Sequence, residues 1–448
     1  MPARVRVVHL IVLVAALAAG CVYGMFAERT GSFPHALSRS ILSAVRGDGG
    51  GETAEPAAGQ WNLRRRGDEG DALTDEQREE MTRLESIGYL AGSEPAGEDS
   101  GVTVHDAGRA EAGLNLVVSG HRPWAALVKM DGSTVHEWQF DFEAAWPDRE
   151  IPADTNGDEY WRRVFLLDAG GILAIHEGLG LVRLDAESKL LWAREGGYHH
   201  DAAQTPAGGF CVLDREARIV PRLSAKDPVL EDFVAYLDAD GNVLRRFSLL
   251  EAFERSPYAS VLTRMDWRGD IFHTNTLEIL DGSLADRSPA FREGNLLISV
   301  LMLDTVAVVD PDTERVVWAL TGMWRQQHQP TVLENGRMLV FDNKAGPDAS
   351  RVLEFDPFSQ KIAWSYEGTP ARPFYSETCG SNQRLPGGNT LVTESDGGRA
   401  FEVAQDGAIV WEYVNPHRAG PEGEFVATLF EVVRLPEGTA PGWLDSSR

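Results

Sequence analysis

"VAVVDPDTERVVW", residues 306–318, reads as a β-hairpin: an apolar alternating run, a tight turn opening on Asp310, and a second run closing on Trp318. The same grammar recurs along the chain. "LVKMDGSTVHEW" closes on Trp138, "LVRLDAESKLLW" on Trp192 and "VAYLDADGNVLRRF" on Phe247. "VLEFDPFSQKIAW" closes on Trp364, and "AFEVAQDGAIVWEY" carries Trp411. Ahead of most of these lies another pair of strands turned on glycine: "VFLLDAGGILAIHE", "TPAGGFCVLD", "LENGRMLVFDN" and "LPGGNTLVTES". Two hairpins per unit make a four-stranded sheet. One such sheet cannot bury both of its faces, so several must pack radially. The closing aromatics count six, which predicts an all-β fold, a six-bladed β-propeller over residues 100–440. The first unit lacks a full inner hairpin, and "ATLFEVVRLP" near the carboxy end is expected to supply the missing strands. A two-sheet sandwich is the rival architecture, but six similar units suit it poorly.

Composition agrees with a β-rich chain. Its 448 residues include 45 Gly and 12 Trp, and many short apolar runs break at Asp-Gly or Gly-Gly. With 68 acidic against 42 basic residues the formal net charge is −26. So negative a surface repels phosphate backbones, which argues against nucleic acid as a partner.

The amino terminus carries a different message. Arg4 and Arg6 precede an apolar stretch from Val7 to Phe26 that only His9 interrupts. Residues 1–27 fit an uncleaved signal anchor with its basic end inside, while "LAAGC" before Cys21 also fits a lipoprotein signal. Either reading exports the remainder, predicting an extracytoplasmic, periplasmic location held at the membrane. Only Cys211 and Cys379 follow Cys21, either as a pair or as two free core thiols. Residues 28–72 read as a flexible linker and 73–92 as a short helix, with Thr74 and Gln77 forming a capping box and Gly88 as the stop.

In each repeat the innermost strand should follow the closing aromatic. Where it begins stand "YHHDAAQTPAGG" after Trp192, "DIFHTNTLEILDG" after Phe247 and "QQHQPTVLENG" after Trp318. Equivalent positions on consecutive blades direct His200, His273 and His328 to one mouth of the central channel. His199 is expected to face away, since adjacent strand residues point to opposite faces. Three imidazoles can bind a metal such as zinc, act as acid and base, or attack an electrophile. A metal would also want partners orienting each ring, which sequence does not reveal, and no metal site is assigned.

"YHHDAAQTPAGG", "FHTNTLEIL", "VVWALTGMWRQQHQPTVLENGRMLVFDN" and "QRLPGGNTLVTESDGGRAFEV" together resemble the bacterial arylsulfotransferase family, as does "GVTVHDAGRAEAGLNLVVSGHRPWAALVKMDGSTVHEW". The resemblance covers residues 100 to 416 and implies a six-bladed propeller. It implies an enzyme that moves a sulfuryl group from a phenolic sulfate ester to a phenol acceptor, with no cofactor and no nucleotide donor. His328 matches the family's "QH" motif, which carries the group as a sulfohistidine. His273 and Asn275 match its "HxN" motif and His200 its "HHD" motif. One departure stands out. The strand after the "HxN" blade usually carries an arginine for the sulfate, and in "NLLISVLMLDTVAVVD" that place is Leu301. Arg351 and Arg384 are the candidate replacements, with Thr378 and Cys379 as candidate pocket lining. Loss of the arginine also leaves open a propeller that only binds a sulfated or phenolic ligand, or a protein. A quinoprotein dehydrogenase, whose blades also repeat Trp, is disfavoured by six blades and a histidine-lined channel.

Overall fold

The computed structural model describes residues 73–85, 94–151, 155–420, 422–437 and 443–446. The Val7–Phe26 anchor, the Cys21 box, the 28–72 linker and Gly88 lie outside them. Among the described residues no helix is long and apolar enough to cross a membrane.

The described strands form six antiparallel blades. Blade two comprises Arg163–Leu166, Ile172–His176, Gly180–Leu184 and Leu190–Glu195. Blade three comprises Tyr198–Gln204, Phe210–Arg218, Val229–Leu237 and Val243–Ser248. Blade four runs Thr274–Ile279, Leu296–Val300, Thr305–Asp310 and Arg315–Thr321. Blade five runs His328–Val332, Met338–Gly346, Ala349–Phe355 and Ile362–Glu367. Blade six runs Ser381–Arg384, Thr390–Glu394, Arg399–Val403 and Ile409–Val414. Blade one is built from both ends of the propeller: Leu429–Pro436 supplies its first strand, then Gly113–Ser119, Trp124–Lys129 and Thr134–Gln139 follow. The first strand of each blade touches the first strand of the next, from blade two round to blade one, so these six strands surround the axis.

A second closure lies in the amino-terminal strand Gly101–His105, which pairs with Ile409–Val414 as a fifth, outer strand of blade six. The sequence had marked this stretch only as the start of the domain.

The repeating Asp and Trp have separate jobs. Each turn aspartate accepts backbone N–H groups of its own turn: Asp185 from Lys189 at 2.8 Å, Asp238 from Asn242 at 2.8 Å, Asp310 from Asp312 at 2.9 Å and Asp356 from Ser359 at 2.8 Å. This Asx geometry fixes the hairpin and hence its register. The closing tryptophans reach across to the neighbouring blade. The indole N–H of Trp138 donates to Gly170 O, that of Trp192 to Ala239 O and that of Trp411 to Met130 O, each at 3.0 Å. The last of these spans the closure between blades six and one.

Apolar side chains gather between blades rather than within them. Leu213 and Val234 of blade three pack with Leu277, Ile298 and Ala307 of blade four in one such cluster. Fully burying each such side chain contributes about 1.5–3 kcal/mol, so the blade interfaces hold the ring together. The helix Asp75–Glu85 has reciprocal Thr74–Gln77 caps at 2.9 and 3.2 Å and lays Leu84 against Ala217 and Leu230 of blade three. Cys211 and Cys379 are both buried, free thiols.

Candidate active site

The innermost strands begin at one mouth of the channel. At or just before those starts stand Arg162 in blade two, His200 in blade three, His273 in blade four, His328 in blade five, Cys379 in blade six and Thr428 in blade one. The three histidines therefore share a mouth. The rings of His200 and His273 lie 5.0 Å apart, and His273 and His328 are both electrostatically coupled to His200.

Local backbone irregularity aims them inward. In blade three the pairing with the next strand shifts between Val212 and Asp214, in blade four between Thr274 and Thr276, and in blade five between His328 and Thr331. Such bulges redirect side chains where a regular strand would alternate them. His200 and His273 adopt left-handed φ of 50° and 51°, a conformation costly for a residue with a Cβ and retained here at the site. The same irregularity corrects the expectation for His199. It does not turn away: its Nδ1 lies 3.0 Å from Nδ1 of His200, and its Nε2 is 3.7 Å from Asp232 Oδ1.

His328 has its tautomer set by a chain of contacts. The Asn343 amide Nδ2 donates to Ser376 O at 3.0 Å and Cys379 O at 2.7 Å, which leaves Asn343 Oδ1 to accept from His328 Nδ1 at 2.8 Å. His328 Nε2 then carries the lone pair, with no hydrogen-bond partner among the described residues. Burial pushes the His328 pKa down to about 3, against the Asn343 bond that favours the charged form, and the Arg162 charge adds to the fall. The ring is neutral throughout the physiological range.

His273 is oriented by an acid: its Nδ1 lies 2.8 Å from Asp270 Oδ2, and it is the more exposed of the three, 18% at the side chain. His200 is enclosed. Its backbone N–H donates to Glu177 Oε2 at 3.1 Å, and burial holds its pKa far below the ordinary value. Asn275 donates to Gln327 O at 2.9 Å, so it braces the backbone beside His328 from the neighbouring blade.

Glu177, His199 and His200 bring one donor atom each within 4.8 Å of one another, the set among the described residues that could hold a metal ion. Within it the two histidine Nδ1 atoms lie against each other, and Glu177 Oε1 has no hydrogen-bond partner among the described residues. Glu177 takes the His200 N–H, and the charges of Arg215 and Arg162 reach its carboxylate.

The replacement arginines suggested by sequence do not join the ring. Arg351 is held by Asp342 at 2.6 Å and Met323 O at 3.2 Å. Arg384 ends its strand and lies at the other mouth, where a cavity of about 780 Å³ is lined by Leu166, Leu333, Arg384 and Leu435. There it is bound to Glu354 at 2.7 Å and packs over Trp364. Strand direction is the reason: the site gathers strand starts, and Arg384 is a strand end. Thr378 spends its hydroxyl on Asp396 at 2.7 Å. Leu301 does stand beside the site, its N–H bonded to His273 O at 3.3 Å.

The cation at the ring is Arg162, only 4% exposed. Burial opposes its charge, but Cys379, Glu177, Tyr160 and Glu431 around it hold its pKa above the ordinary value. Burial pushes the pKa of each of these neighbours up: the Cys379 thiol, the Tyr160 phenol and the Glu177 and Glu431 carboxyls. Sequence reasoning passed over Arg162, Asn343, Glu177 and Asp270. The signal for Arg162 was its place in "WRRVF", directly before the first strand of its blade, as His273 stands in its own.

No curated protein matches this sequence. Among solved structures the chain is similar to a protein of unknown function from Bacteroides caccae, at 13% identity over 72% of this chain and 98% of that chain, TM-score 0.46. It is also similar to a streptogramin B lyase, at 13% identity over 78% and 95%, TM-score 0.41. Residues 164–416 match the family model described as Arylsulfotransferase (ASST). That match takes in more than half of the chain, from the first strand of blade two past the last of blade six, and the chain belongs to the arylsulfotransferase family.

Proposed function

We propose that the protein moves a sulfuryl group from a phenolic sulfate ester to a phenol through a sulfohistidine at His328, without a nucleotide donor. The observation that carries this reading is the neutral His328 ring, its Nδ1 tied to Asn343 and its Nε2 unpartnered at the shared mouth. A neutral imidazole is a nucleophile, and splitting one displacement into two lowers each barrier. In the first half-reaction the Nε2 lone pair forms an N–S bond as the S–O bond to the aryl oxygen breaks. The phenolate leaves with the electron pair and takes a proton from the His273–Asp270 pair. In the second, that pair accepts the proton of the incoming phenol, whose oxygen attacks sulfur and frees His328. His200 lies against the His273 ring and assists, and Asn275 braces the backbone beside His328 through Gln327 O.

The basic start and the apolar Val7–Phe26 stretch support a membrane-held, extracytoplasmic enzyme. The test is incubation of the full chain with a chromogenic aryl sulfate and a phenol, without nucleotide. Acceptor-dependent release of the chromophore, with sulfuryl on the His328 peptide when acceptor is omitted, is the expected result. Label on another residue, or none with continuing turnover, removes the sulfohistidine step.

A further inference from the structure

We infer that Arg162 and Tyr160 form the subsite for the sulfuryl oxygens, in place of the arginine that position 301 lacks. This rests on the sulfuryl-transfer reading above and names donors for it. Two neighbouring arginines make the case by contrast. Arg163 is paired: it lies 3.3 Å from Asp201 and 3.0 Å from Glu431, and its Nη1 donates to the Gln329 side-chain amide oxygen at 3.0 Å, although its Nε makes no hydrogen bond among the described residues. Arg162, one residue earlier, has no hydrogen bond or ion pair from its guanidinium among the described residues, and its Nε is enclosed without an acceptor. The guanidinium rests over the Phe430 ring, 5.2 Å from its centroid. Tyr160 stacks on the same ring at 4.8 Å, and its hydroxyl is likewise buried with no partner.

A buried polar group without a partner is costly, and a buried charge more so. Two such donors on one aromatic platform imply an acceptor that the protein itself does not supply. The location says which acceptor. Arg162 occupies blade two's place in the ring of strand starts, and its field reaches His200, His328 and Cys379. An anion drawn to it is held at the mouth that His328 shares. A sulfuryl group offers the planar fork and the phenol hydroxyl oxygen acceptors at once. Because the guanidinium is always charged, it also binds the group as charge moves toward those oxygens.

The experiment uses the full chain carrying His328→Ala, so that an aryl sulfate binds without being consumed. Calorimetric titration with 4-nitrophenyl sulfate is compared with the same chain bearing Arg162→Met or Tyr160→Phe. The expected result is weakening of at least about tenfold for Arg162→Met and about three- to tenfold for Tyr160→Phe. Thermal midpoints should fall little, because neither removed group makes a hydrogen bond among the described residues. Tyr160→Phe deletes one unpartnered oxygen and so keeps the test open if Arg162→Met folds poorly. Unchanged affinity in either variant overturns the role of that residue. A lower midpoint for Arg162→Met, with parental affinity once the variant is kept folded at low temperature, makes Arg162 structural and overturns its role as well. Failure of the parent reading looks different: a His328-intact chain that binds aryl sulfate through Arg162 yet transfers nothing removes the transfer and keeps the subsite.

Discussion

Lowering the pH tests whether His328 is the neutral nucleophile. With a pKa of about 3, only about 1% of the His328 rings are protonated at pH 5. A histidine with the ordinary value near 6.5 would be about 97% protonated there, and its nucleophilic rate would fall about 30-fold. The assay is the burst of phenolate released from an aryl sulfate without acceptor, one equivalent per chain, followed by stopped flow from pH 7.5 to 5. An acidic leaving phenol is used so that departure needs no proton and the His273–Asp270 pair drops out of the rate. The burst rate should change by no more than a few per cent on account of His328. A rate that falls tenfold per pH unit below 6.5, with the circular dichroism unchanged, would refute the buried, neutral assignment. Stability gives an independent reading of the same shift. The unfolded ring takes up a proton near 6.5 and the folded ring only near 3, so between these values the unfolded chain binds more protons. The contribution of His328 to stability is therefore fully present above 6.5 and is lost as the pH falls. By pH 5 the loss is about 2 kcal/mol. His328→Ala removes it, so the stability of the variant relative to the parent should move by that amount in its favour between pH 7.5 and 5.

Other substitutions separate the remaining roles. His328→Ala should abolish the burst and the transfer, whereas His200→Ala should slow transfer by about 10²- to 10⁴-fold while sulfuryl still labels His328. Asn343→Ala should slow the burst roughly 10- to 100-fold, as loss of an orienting partner does elsewhere, without changing its stoichiometry. A burst of unaltered rate would show that the Asn343 bond does not select the tautomer. Leu301→Arg places a second cation beside His273. If Arg162 already serves the sulfuryl group, donor affinity should stay within about threefold, and a tenfold gain would show that the ring lacks a cation. Trp411→Phe removes the indole bond to Met130 O across the ring closure and should lower unfolding stability by about 1–2 kcal/mol in a denaturant titration.

The fold was legible because its signals are local and repeated. A turn aspartate needs only its own next few N–H groups, and a closing tryptophan marks the outer strand wherever it sits, so six copies could be counted without knowing what packs on what. The three histidines were legible for a related reason, since each stands at or near the start of the inner strand that follows a closing aromatic. Arg162 was not. Between Trp138 and Arg163 the chain carries the short helix Phe142–Ala145 and further turns, where the corresponding step after Trp192 is brief. A similar insertion precedes His273, where a histidine marked the place; an arginine before its strand carries no such mark. Asn343, Glu177 and Asp270 were hidden differently. They act on a histidine of their own or the next blade through bonds that strand order alone does not foresee. The error over His199 has a third cause, because the alternation rule assumes a regular strand and the site is built on bulges.

The ring of strand starts also explains how one positive charge can serve two opposed needs. Sulfuryl transfer wants histidines that are uncharged and a cation that is not. Burial supplies the first at His200 and His328, whose rings are held neutral chiefly by the loss of water, and Arg162 presses in the same direction on both. The same guanidinium cannot itself be neutralised, because an arginine keeps its proton at any pH the fold survives. A lysine there would be free to lose its proton to the desolvation that holds the histidines neutral, and the site would then hold no net cation for the donor. Placing the charge at blade two rather than at Leu301 therefore changes which strand carries it, while leaving His273 beside an apolar neighbour and free to exchange a proton with Asp270.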